Sequence, residues 1–310
     1  MGDLGLAIFH NRHEVMNVLA DDIAAYVRQQ YSFTVDKVPL SAPEGMRPPC
    51  YGLFRSDTGE AVGGGSVTGR YVPHTTDDVL ALIEAASTAF DGVAAVQCGF
   101  RDGHWLAVQP NTPLPLDVFG KADIACPRLI IDAPYAEKES FRVSIGYYRD
   151  CCRNLVIMRL VDGVSVSMRH TRPLRLKIDE LAETLRSLRN GWVNLCHAIQ
   201  RMEKRQVNID DFLRSVYGNK EDTDGGAAAS FRGRRMEEIT QRLVFDRGRT
   251  GRGEMGPECV VSAWEAFNAI HWYVQHAVTQ PGNPGNIERI ILAASDAAPA
   301  RAELLASTLT

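Results

Sequence analysis

No Cys-x-x-Cys pair occurs among the seven cysteines, Cys50, Cys98, Cys126, Cys151, Cys152, Cys196 and Cys259. Their odd count and scattered spacing argue against a disulfide framework or a zinc ribbon, and favour buried free thiols in a reducing compartment. No run approaches eighteen uninterrupted apolar residues, so no membrane partner is expected. Met1 to His10 has neither the basic start nor the apolar stretch of a signal peptide, which predicts a cytoplasmic protein. Positive charge is not in excess either: the net charge is −4 and the isoelectric point about 6.1. A polyanion would therefore have to be met by a local patch, because long-range steering is weak or repulsive. Gly63-Gly64-Gly65 is not followed by Gly-Lys-Ser/Thr and lies in a strand pattern, so it reads as a bulge and not a phosphate loop. There is no paired-carboxylate site, nucleophile elbow or dinucleotide fingerprint. His271 and His276 are five apart and do not share a helix face. No cofactor, metal site or catalytic residue is predicted.

What is present suffices for a substantial core: 310 residues, 45% hydrophobic and 23% charged. Residues 11 to 30 have helical spacing, with Asn11 as cap and Glu14 three residues later. Cys50 to Arg55 and Ala61 to Thr68 read as a hairpin around Ser56 to Glu60, with Gly59 supplying positive φ. Thr75 or Thr76 can cap the next helix, and Asp77 and Asp78 suit its positive end. Val93 to Phe100 and Trp105 to Gln109 form a second hairpin through Asp102-Gly103. Strands are predicted at 128–132, 141–148, 155–160 and 164–168. Helices follow at 176–205, 210–217, 234–245, 260–279 and from about 286 onward. The predicted class is α+β, an antiparallel strand meander in the middle of the chain followed by a helical C-terminal region. In domain terms, 1–48 is an N-terminal helix and linker, 49–175 a strand-rich α+β core, and 176–310 a helical region with a flexible loop around 218–233.

Arginine is the residue type most suggestive of function, in three groups. The first is Tyr147, Tyr148, Arg149 and Arg153 at a strand end. These could stack bases and bind phosphates, or the tyrosines could be core with Arg149 paired to a carboxylate. The second is Arg169, His170, Arg172 and Arg175 with Lys177, between the last strand and the long helix; arginine forks match phosphate oxygens and helix starts favour anions. The third is Arg232, Arg234, Arg235, Arg242, Arg247, Arg249 and Arg252, whose Arg247 to Gly253 portion resembles flexible Arg-Gly segments that track single strands. A solvated, partnerless loop explains that last run equally well.

Three ordered sets of residues resemble one family. They are Tyr51 to Glu60 with Arg70-Tyr71-Val72-Pro73 and Gly103-His104-Trp105; then Ser144 to Arg149 with Cys152-Arg153-Asn154 and Met168 to Thr171; then Ser262 to Ala269. Their order and spacing are similar to the phage- and plasmid-borne family of the domain of unknown function DUF932, over roughly residues 48 to 278. This chain departs from the family pattern at Ala133 to Ser140, where members carry a small hairpin with Asn and Asp. The resemblance implies a mobile-element setting, in which annealing proteins, anti-defence factors and replication accessories are common.

Three readings follow. One is a homo-oligomeric protein that binds single-stranded DNA along the arginines named above, of annealing or recombination type. A second is an enzyme on nucleotides or nucleic acid with His170 as acid or base. A third is an anti-defence or accessory factor that binds a protein. Without a catalytic constellation, the first is the expectation.

Overall fold

The computed structural model describes residues 20–41, 50–63, 65–100, 103–111, 116–117, 123–135, 140–149, 151–152, 154–158, 160–168, 178–218, 227–277 and 297–308. The elements begin α1 (Ala20–Gln30), β1 (Val35–Pro39), β2 (Tyr51–Arg55), α2 (Thr76–Ala89), β3 (Val93–Phe100) and β4 (Gly103–Pro110). Next come β5 (Leu116–Asp117), β6 (Ile124–Pro134), β7 (Phe141–Arg149), β8 (Asn154–Val156) and β9 (Ser165–Met168). The rest are α3 (Ile178–Lys204), β10 (Gln206–Asn208), α4 (Ile209–Tyr217), α5 (Ala227–Arg249), β11 (Val260–Ser262), α6 (Ala263–Trp272) and α7 (Ala297–Thr308). This is an α+β protein, with antiparallel strands in the middle and helices after them. Among the described residues, no helix is long and apolar enough to cross a membrane.

Two compact units share the chain in alternation. One comprises Met1–Pro113, Arg128–Ile145 and Ser165–Asn190, the other Leu114–Pro127, Gly146–Val164 and Gly191–Thr310. The strands β6 and β7 therefore contribute residues to both.

In the first unit, β1 and β2 pair antiparallel from Val35↔Arg55 to Pro39↔Tyr51. The segment expected to complete a hairpin with β2 is not a strand; it touches β2 at two bridges, Phe54↔Ala61 and Tyr51↔Val67. Two residues of β2 there face five of the returning chain. Gly63, at φ +74°, lies in that returning segment. Helix α2 starts where its sequence says: the Thr75 side chain accepts from the Asp78 amide, and the Asp78 carboxylate accepts from the Thr75 amide at 2.7 Å. Strands β3 and β4 pair down to Phe100↔His104, and β4 continues onto β6 from Gly103↔Pro134 to Val108↔Leu129. Val79, Leu82, Leu106, Val108, Ile130 and Ile131 are buried.

This unit also buries a polar cluster of two histidines and a tyrosine. His74 Nε2 lies 2.9 Å from His104 Nδ1, and the Tyr135 hydroxyl donates to the His74 carbonyl at 2.9 Å. The Tyr135 and His74 rings stack at 4.2 Å. Burial, with Arg55 adding to it, pushes His104 down to about 3, so the imidazole is neutral.

In the second unit, β5 pairs the start of β6, and β8 pairs the end of β7 from Arg149↔Asn154 to Tyr147↔Val156. The apolar stripe predicted for the long helix is present in α3, where Leu195 and Ile199 are buried with Trp192. Ser262 and Glu265 form a capping box for α6, whose residues Ala263 to His271 are all buried. A helix buried on every side is a core helix, and its polar members Glu265 and Asn268 are paired within the protein. It continues as a π-helical turn, Tyr273–Ala277, which directs Gln275 onto β8. There the Gln275 side chain donates to Leu155 O at 2.7 Å and accepts from Leu155 N at 3.2 Å. The Leu155 backbone is thus also paired by a side chain; the strand expected at 155–160 is observed as Asn154–Val156.

Candidate functional site

Of the sequence candidates, Arg153, Arg169, His170, Arg172 and Arg175 lie outside the described residues, as does the side chain of Arg232. Tyr147, Tyr148 and Arg149 are described, and all three are buried. They offer no stacking surface, so that part of the expectation is corrected. The Tyr147 hydroxyl donates to Asn268 Oδ1 at 3.2 Å, and its ring lies 5.1 Å from that of Trp264.

Arg149 is the centre of a buried charge network. Its Nε and Nη2 donate to the two oxygens of Asp123 at 2.6 and 2.8 Å, a bidentate fork. Asp123 also accepts from Trp264 Nε1 and from Arg252 Nη2, both at 3.0 Å. Burial would raise the Asp123 carboxyl, but Arg149, Trp264 and Arg252 hold it below its ordinary value. Arg252 reaches Glu203, whose second oxygen accepts from Ser262 Oγ at 2.6 Å. Arg247 Nη1 donates to both Glu265 oxygens, at 2.8 and 2.9 Å. Arg242 pairs with Asp246 at 2.8 Å, one helical turn along α5. An unpaired charge in such a place would cost several kcal/mol, and the mutual pairing offsets part of that cost.

The network also corrects the reading of Arg247 to Gly253 as a mobile arginine-glycine run. Helix α5 extends through Arg249 and closes in a turn, with Arg252 N donating to Arg247 O at 3.0 Å. Gly251 at φ +66° and Gly253 at φ +79° occupy the left-handed region that this turn requires. The glycines serve geometry, and Arg247 and Arg252 point into the protein. The loop composition of 218–233 likewise gives way to α5 from Ala227 onward.

One arginine-rich face of α5 does meet solvent. Phe245 is 54% exposed and Val244 47%. The guanidinium carbons of Arg242 and Arg249 lie 5.0 and 6.0 Å from the Phe245 ring centroid. Arg242 is also 4.7 Å from the Trp272 ring. Arg249 is exposed, with Nη1 donating to Cys151 O at 2.9 Å, and Arg242 Nη2 donates to the same carbonyl at 3.1 Å. The exposed acids Glu237 and Glu238 precede Phe245 by about two turns, roughly 11 Å along the axis. Farther up α5, Arg234 is exposed, while Arg235 is tucked against the rings of Tyr217 and Tyr273. Sequence reading included Arg242 and Arg249 but passed over Phe245, whose exposure depends on which face α5 buries.

Beneath this face is the tip of the β7–β8 hairpin, which carries Cys151 and Cys152, both buried. Their sulfurs and an Asp246 oxygen lie within 4.8 Å of one another. Arg149 Nη1 is 3.6 Å from Cys152 Sγ. Burial opposes a Cys152 thiolate, yet the neighbouring Cys151 thiol and Arg149 bring its pKa below the ordinary value. The same pairing, with burial, raises Cys151. This donor set was missed in the sequence, because its third member is remote along the chain.

Comparison with protein families matches residues 64–303 to the domain of unknown function DUF932. The chain belongs to the DUF932 family. The match takes in the entire charge network, the exposed face of α5 and the cysteine pair, and leaves out α1, β1 and β2. No curated protein and no solved structure matches this DUF932 member.

Proposed function

We propose that the protein binds single-stranded nucleic acid on the exposed face of α5, with Phe245 stacking against a base and Arg249 contacting phosphate. The observation that carries this reading is the exposed Phe245 ring flanked by two guanidinium groups. A base is a flat π surface and a phosphate an anion, so an aromatic beside arginines suits both without sequence preference. Arg242 is partly committed to Asp246, which leaves Arg249 as the main phosphate contact. The patch is local, as the net charge of −4 demands. The phage- and plasmid-like motifs are consistent with a role in annealing or recombination, and an oligomer would set several such faces along one strand.

Fluorescence anisotropy with a labelled oligonucleotide tests the reading. Binding at low salt should weaken about 5- to 150-fold in Phe245→Ala, the cost of one lost stacking contact. Arg249→Ala should lower the slope of log affinity against log salt by about 0.7, one phosphate's share for a single strand. Absence of binding at low salt, or binding that ignores both substitutions, overturns it. Particle imaging with and without the oligonucleotide reads the oligomeric state in the same samples.

A further inference from the structure

We propose that Cys151, Cys152 and Asp246 form a binding site for a zinc-class divalent ion. Three observations support it, none of which depends on the nucleic-acid reading. The first is geometric. The three ligand atoms lie within 4.8 Å of one another, on residues that are all buried. A tetrahedral zinc with bonds of ~2.3 Å to sulfur spaces its ligands about 3.7 Å apart. Small side-chain rotations therefore close the set.

The second is the way the donors are held. Pairing of Arg149 with Asn154 leaves a four-residue hairpin tip with the cysteines at its middle. Asn154 Nδ2 donates to Asn268 O at 2.7 Å, and Arg242 and Arg249 both donate to Cys151 O, so each side of the tip is anchored. Asp246 stands on α5 between those arginines, at the spacing that puts all three on one helix face. Its Oδ1 lies 2.8 Å from Arg242 but accepts no well-directed hydrogen bond. Arg149, 3.6 Å from Cys152 Sγ, supplies the N–H contact to a ligating sulfur that outer-shell groups commonly make.

The third is charge. Asp123, Glu203, Asp246 and Glu265 are balanced by Arg149, Arg242, Arg247 and Arg252. A divalent ion that displaces one proton from each thiol adds no net charge to that buried balance. Sulfur ligands select a soft or borderline ion over magnesium or calcium. With three protein ligands, the fourth position belongs to water or another small ligand; Asp123 Oδ1 is also near, 3.8 Å from Cys151 Sγ.

The test is a cobalt titration of the full chain, stripped of metal with a chelator and kept reduced without oxygen. The expected result is one equivalent bound, with thiolate-to-cobalt charge-transfer absorption in the near ultraviolet and the intense visible bands of a four-coordinate ion. Zinc should bleach those bands. The double change Cys151→Ser with Cys152→Ser should abolish the charge-transfer absorption, and Asp246→Asn should weaken binding at least tenfold. A folded wild-type chain showing only the weak spectrum of aqueous cobalt overturns the proposal, as do bands that survive the double change. If the serine variant does not fold, X-ray absorption of the zinc-loaded wild type decides: two sulfur neighbours at ~2.3 Å are expected, and none or four overturn it.

Discussion

Each unit holds a buried polar cluster, and the two clusters differ in kind, although the first unit also buries the charge of Arg128. The first joins His74, His104 and Tyr135, with His104 held neutral, through hydrogen bonds among side chains and to one backbone carbonyl. The second buries full charges, with Arg149 and Asp123 at 2% and 0% side-chain exposure. A neutral cluster loses little when one contact is trimmed, because an uncharged group left behind is modest to solvate. A charge network fails harder, because each partner justifies the burial of the next. The difference also separates roles: the first unit's cluster reads as core architecture, while the network supports both the α5 face and the cysteine-bearing hairpin tip.

The largest expected effect comes from breaking the network at its most connected member. Asp123→Ala removes the partner of Arg149 and Arg252 together and should cost about 3–5 kcal/mol in urea unfolding. The double change Asp123→Leu with Arg149→Met should cost less than Asp123→Ala alone, since no uncompensated Arg149 charge remains. If the single change costs under 1 kcal/mol, the contrast between the units collapses.

Acid should distinguish histidines from carboxylates next. His104 and His271 are each held at about 3 in the folded chain by burial. Unfolded histidine titrates near ~6.5, so the unfolded state binds more protons as pH falls from there. Stability from these two groups is intact above about 6.5 and is lost progressively toward 3, by up to about 1.4 kcal/mol per pH unit for each. Asp123, with its lowered value, keeps its contribution until the pH passes below the ordinary carboxylate value of ~3.9. Unfolding curves recorded across this range should therefore weaken well before Asp123 protonates. His271→Gln should flatten the slope between pH 6 and 4, and an unchanged slope would remove His271 from the account.

The smallest effect is expected in the cluster of histidines and tyrosine. Tyr135→Phe deletes one donor to the His74 carbonyl and keeps the ring stack, for about 1 kcal/mol. A loss as large as that of Asp123→Ala would show that neutral and ionic burial are equally costly to disturb here.

Local signals along the chain were legible. A threonine cap for α2, the antiparallel pairing of β3 with β4, the stripe of α3 and positive φ at Gly59 each depend on residues a few positions apart. The α+β class and the family resemblance came from the same short-range patterns. The candidate site was only partly readable. Arg149 looked equally suited to a surface and to an ion pair, because its partner Asp123 is 26 residues away, and Arg252 reaches the same carboxylate from 129 residues away. The glycines after α5 looked mobile because composition does not distinguish a glycine that flexes from one that a turn requires.

The sequence by itself determined the α+β class, which residues line the apolar stripe of α3, and that arginine is the side chain to follow. Tertiary structure decided which arginines remain available. Burial is a property of what packs against a residue, and the low dielectric of the second unit draws Arg149, Arg247 and Arg252 into pairs with distant carboxylates. It leaves Arg249 at the surface beside Phe245, and brings Asp246 to the two cysteines.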